Sequence, residues 1–156
     1  MSAVSSKPMI IVHDLAQAKA ALAAASKCSR PVVLRSSKTT SGASGPGLFV
    51  EIAAMAREYH PQSFAGALFD CGTEAGLAMA AIRRGDCHII IDLAPKTAAK
   101  IMELAQARGT QAFDRTGIEN TGEPVLDLLD AHNAFSAVKK FLETAPLGLN
   151  SPFALV

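Results

Sequence analysis

Short apolar runs rich in β-branched residues recur along this chain, each followed by polar residues and then by a stretch with helical periodicity. The runs are Met9–Val12, Pro31–Leu34, Phe64–Phe69, Cys87–Ile91 and Gln111–Phe113, and most begin about 23 residues after the previous one. Apolar runs of this length bounded by turn formers read as buried strands. The stretches between them place apolar side chains on one helical face: Leu15, Ala18, Leu22 and Ala25 in the first, Phe49, Ile52, Ala53 and Ala56 in the second, Ile101, Leu104 and Ala105 in the fourth. A last helix carries Phe135, Val138, Phe141 and Leu142. Strands alternating with helices imply βαβ units, a mainly parallel sheet and right-handed crossovers. The expected fold is therefore α/β, with about five strand–helix units. It is arranged either as a flavodoxin-like open sheet or as a partial (half) (β/α) barrel.

Local signals set the boundaries. Asp14 caps the first helix, with Gln17 three residues on as its capping-box partner. Thr73 is placed to cap the third helix and Gly85 to end it; Pro95 suits the first turn of the fourth and Gly109 its end; Asn133 caps the last. Arg35–Gly47, rich in hydroxyls and glycines, reads as a loop, as does Thr116–Glu123. Pro124–Leu129 fits either a helical turn or a sixth short strand. Residues 1–8 read as a disordered tail, 9–146 as a single domain, and 147–156 as an uncharged apolar tail that docks on its own or a neighbouring subunit.

The segment Gly66–Gly85, a strand, an acidic tip and a helix closing on glycine, resembles the repeating units of (β/α)-barrel aldolases and phosphate-binding barrels; Ile89–Gly109 is similar. The resemblance is one of fold style and implies a ligand at the carboxyl ends of the strands. A half-barrel leaves sheet edges uncovered, so a homo-oligomer is expected.

Composition narrows the function classes. With 156 residues, 49% hydrophobic and 19% charged, the chain can bury a core without staples. A net charge of +1 and 5% aromatic residues, with no Trp, give neither the basic footprint nor the stacking platforms of a nucleic-acid binder. No apolar stretch reaches membrane-span length and the start lacks a signal-peptide core, so the expectation is a cytoplasmic protein without membrane or nucleic-acid partners. Three dispersed cysteines, Cys28, Cys71 and Cys87, suit reduced thiols.

Both architectures bring ligands to the strand carboxyl ends, where the chain places His13 and Asp14, then Arg35, Ser36, Ser37 and Lys38, then Asp70 and Cys71, then Asp92, then Asp114 and Arg115. Arg35, Ser36, Ser37 and Lys38, with His13, Asp114 and Arg115, are the candidate ligand-binding residues. Cations, hydroxyls and a glycine-rich segment before a helix favour phosphate or carboxylate. No Walker A or dinucleotide fingerprint is present, and no motif identifies a cofactor. Asp70 and Asp92 are the candidate catalytic groups, as proton carriers. With Asp114 they also have the ligand type of a magnesium site, but pairing with Arg35 and Arg115 explains them equally, and no metal is assigned. Cys71 with His13 as a thiolate–base pair is weaker than a packing role for the thiol. The resulting expectation is a lyase- or isomerase-type enzyme acting on a small phosphorylated or carboxylated metabolite. The alternative is a non-catalytic ligand-binding or assembly subunit.

Overall fold

A computed structural model describes residues 7–145; the apolar tail 147–156 lies outside them, as do residues 1–6 of the amino-terminal tail. Pro8 is buried, and its carbonyl accepts from the Val33 N–H at 2.9 Å. The strands are β1 (Met9–Ile11), β2 (Val32–Arg35), β3 (Phe64–Asp70), β4 (His88–Ile91), β5 (Ala112–Asp114) and β6 (Val125–Asp127). The helices are α1 (Leu15–Lys27), α2 (Lys38–Tyr59), α3 (Ala75–Arg84), α4 (Pro95–Ala107), α5 (Arg115–Asn120) and α6 (Ala134–Thr144). Every strand pairing is parallel, in the order β5-β4-β3-β2-β1-β6. The α/β reading holds, and the flanked parallel sheet is compatible with both expected arrangements. The ambiguous segment Pro124–Leu129 supplies the sixth strand, with Ile10 opposite Leu126.

The strand order dictates the layers. From β1 to β5 the sheet grows in one direction, so right-handed crossovers put α1, α2, α3 and α4 on one face. The return from β5 to β6 runs the other way, which sends α5 to the opposite face. The core follows this division. Ile10, Leu34, Phe69, Ile89 and Ile91 pack under α1–α4 and α6, while Met9, Val33, Leu68 and Ile90 pack with Ile118 of α5. Each large apolar side chain buried in this way stabilises by about 1.5–3 kcal/mol.

Five local expectations are corrected. The segment Arg35–Gly47 is not a loop: the chain is helical from Lys38, breaks at Gly45 (φ 67, ψ −178) and resumes at Pro46. Proline in the first turn of the resumed helix loses no intrahelical hydrogen bond, and glycine alone tolerates the preceding backbone. Thr116–Glu123 likewise contains α5, held by Ile118 against the sheet. At α3 the cap position is Glu74, one residue past Thr73, and no side chain bonds there. Asp14 and Asn133 do cap, accepting from the N–H groups of Gln17 and Ser136. Gln17 returns a bond to the N–H of His13 rather than of Asp14. Leu104, expected in the apolar face of α4, is 44% exposed. Among the described residues no helix is long and apolar enough to cross a membrane.

Candidate functional site

The carboxyl ends of β2, β3, β4 and β5 carry one connected set of charges. Arg35 ends β2 and Asp70 ends β3, and both side chains point to the face that α5 covers. Arg35 Nη2 lies 3.5 Å from Asp70 Oδ2. Arg115, the first residue of α5, places Nη2 2.6 Å from Asp70 Oδ1, and its Nε is 3.7 Å from Asp92 Oδ2. Asp70 Oδ1 also accepts from the Gly72 N–H at 2.9 Å. Asp70 is 1% exposed and has both oxygens engaged, whereas the Asp92 side chain is 51% exposed.

Two guanidiniums thus share one fully buried carboxylate. Burial lowers the Arg35 pKa; Asp70 opposes that shift and the positive charge of Arg115 adds to it. The Nε atoms of both Arg35 and Arg115 are buried without a hydrogen-bond partner. Unsatisfied buried donors are costly, and a pair on adjacent cations is chemically suited to an anionic oxygen.

The topology marks the same place. The chain leaves β4 for α4 on the five-helix face and leaves β5 for α5 on the other. Where neighbouring parallel strands send their connections to opposite faces, a crevice opens outside their carboxyl ends. Asp92, Asp114 and Arg115 flank that crevice. Asp114 is half-buried and its side chain makes no cap bond to α5.

Ser36 is buried next to this cluster and accepts from the Asp70 N–H at 2.8 Å. Ser37 is buried and Lys38 exposed. Lys38 lies across Gly72, where an added Cβ would come within 3.3 Å of Lys38 Cε. The structure therefore gathers Arg35, Ser36, Lys38, Asp70, Asp92 and Arg115. His13 stands apart, with Nε2 2.6 Å from Asp127 Oδ1 at the end of β6. Sequence reasoning missed Asp127, because its segment was undecided between strand and turn. An aspartate closing an apolar run was the available signal.

Cys71 is 2% exposed, its Sγ faces the Phe69 carbonyl, and burial pushes its thiol up to about 12. That is the opposite of an activated thiolate. Among the described residues no group of three or more His, Cys, Asp or Glu side chains is placed to hold a metal ion.

Two cavities bear on function. One of about 30 Å³ sits at the carboxyl end between His13, Ser36, Ser44, Leu48 and Phe69. A larger groove of about 600 Å³ opens at the amino end, lined by Val50, Arg57, Phe64, Cys87, His88 and Thr110. The charged residues of that groove, Glu51, Arg57 and Asp86, are exposed on its rim, and the Thr110 hydroxyl is bonded to the Cys87 carbonyl. Converging buried charge, rather than volume, distinguishes the carboxyl end. No known protein family matches the chain and no curated protein is significantly similar to it.

Proposed function

We propose that this chain binds a small phosphorylated or carboxylated molecule at the carboxyl ends of its strands, in the crevice between β4 and β5. The observation that carries the reading is the buried pair Arg35 and Arg115, which shares the buried carboxylate of Asp70 and leaves both Nε–H donors without a hydrogen bond, Arg115 Nε facing only the exposed Asp92 carboxylate at 3.7 Å. In this reading Asp70 orients the guanidiniums. Lys38 adds charge at the rim, and Asp92, the exposed carboxylate of the set, is the proton carrier of a lyase- or isomerase-type reaction. Calorimetric titration with inorganic phosphate and with pyruvate tests it. Arg115→Ala should weaken binding at least tenfold with the circular dichroism spectrum retained. Binding that is absent from the wild type, or unchanged in the variant, would sink the reading. The small cavity at this end favours a second reading, a non-catalytic ligand-binding subunit, in which the wild type binds the anion without converting it and Asp92→Asn leaves the affinity unchanged.

A further inference from the structure

We propose that His13 and Asp127 form a general-base dyad that activates a water molecule for attack on a small acyl ester, at a point of the strand ends distinct from the arginine cluster. The dyad brings together β1 and β6, which the sequence separates by more than a hundred residues. Asp127 Oδ1 lies 2.6 Å from His13 Nε2 and also accepts from the Leu129 N–H at 2.9 Å, so the carboxylate is itself fixed. The His13 backbone is fixed too: its N–H donates to Gln17 Oε1, and Gln17 Nε2 donates to the Leu128 carbonyl next to Asp127. A carboxylate on Nε2 holds the proton there and leaves the Nδ1 lone pair as the acceptor, the arrangement of a positioned general base. Nδ1 has no hydrogen-bond partner among the described residues, and the His13 side chain is 16% exposed.

The second observation is the cavity that His13 lines. Its volume of about 30 Å³ has room for water. Its walls are the apolar side chains of Val12, Leu48, Phe49 and Phe69, and its polar groups are His13, Ser36 and Ser44. The Ser36 oxygen already accepts from the Asp70 N–H, which leaves its hydroxyl hydrogen to donate to a water oxygen. Apolar walls raise the strength of each of these bonds. In the reaction, the water oxygen forms a bond to the acyl carbon while its proton passes to Nδ1. The imidazolium so formed sits beside the Asp127 carboxylate. The carbon–oxygen bond to the leaving group then breaks, its electron pair goes to that oxygen, and the imidazolium returns the proton. The products are a carboxylic acid and an alcohol. His13 is the catalytic residue and Asp127 a positioning residue.

Hydrolysis of 4-nitrophenyl acetate tests this directly. The wild-type chain should exceed His13→Gln by at least tenfold. Asp127→Asn should fall between the two, and Asp127→Glu should recover part of the rate. Nitrogen-15 spectra of the wild-type imidazole should show a protonated Nε2 and a lone-pair Nδ1, with the two tautomers mixed in Asp127→Asn. A wild-type rate equal to that of His13→Gln, or a proton found on Nδ1, would overturn the proposal even if a variant fails to fold. A purely structural tie between β1 and β6 would lower the melting temperature of the variants without separating their rates from a wild type that is itself inactive. Phosphate titration of the wild type runs in parallel. Binding without hydrolysis removes the dyad alone, and hydrolysis without binding removes the anion site alone.

Discussion

Arg115 reaches from the first turn of α5 across β4 to place its Nη2 2.6 Å from Asp70 Oδ1, two strands away in the sheet. That contact pins the short helix over the second face of the sheet and gives the buried carboxylate its strongest partner. Removing the carboxylate leaves two cations without a buried counter-charge. Asp70→Asn should therefore destabilise by about 3–5 kcal/mol in urea unfolding. Replacing all three members with apolar residues (Arg35→Met, Asp70→Leu and Arg115→Met together) should recover most of that loss. A single-variant loss below about 1 kcal/mol would show that the cluster is solvated.

The break in α2 gives a second prediction. Gly45 holds φ 67 and ψ −178, a region that essentially only glycine occupies, and an added Cβ would meet nothing within 4 Å. The cost of Gly45→Ala is then purely conformational, about 1–3 kcal/mol. Gly76→Ala is the control, since Gly76 lies inside α3 with open space and no positive φ and should be neutral or slightly stabilising.

Burial lowers the pKa of His88 from its ordinary 6.5, and its Nδ1 accepts from the Gln111 N–H. The folded protein therefore favours the neutral ring, while the unfolded chain takes up a proton as pH falls below about 6.5. The contribution of His88 is fully present above that value and is lost as pH falls through the lower folded pKa. The melting temperature of His88→Gln should fall less steeply between pH 7 and pH 5 than that of the wild type. Parallel curves would remove the histidine from the acid response.

The thiols should sort by burial. Cys71 and Cys87 are buried with pKa values pushed up to about 12, and Cys28 is partly exposed. Native labelling with iodoacetamide near pH 8 should modify Cys28 alone, with the other two reacting only after unfolding. Mass spectrometry of the labelled peptides checks this, and rapid native labelling of Cys71 would contradict its packing role.

The strands from β1 to β5 were readable because each is an apolar run flanked by strong punctuation, such as Gly85 before β4 and Gly109 before β5. The start of α2 was not, because serine, threonine and glycine compete with helix through local hydrogen bonds, and composition alone reports that competition rather than its outcome. The helix α5 and strand β6 span six and three residues, too few to display a period. At the site, position after a strand was enough to select Arg35, Asp70, Asp92 and Arg115. Which of them meet depends on β3, β4 and β5 being neighbours, a long-range fact that no local pattern encodes. The same limit hid Asp127, whose partner His13 lies 114 residues away.

The pairing of β6 with β1 also fixes an order of events in time. On a ribosome, β1 through β5 emerge and can pair in sequence, each with a neighbour already made, but one side of β1 stays unpaired until Val125–Asp127 appears. Closing that pair has a long-loop entropy cost, so it belongs to the slow end of folding. Meanwhile the backbone donors and acceptors of a fully apolar strand are open to any other chain. A nascent chain stalled before residue 125 is therefore the form of this protein most exposed to aggregation, and its last strand acts as a seal on the first.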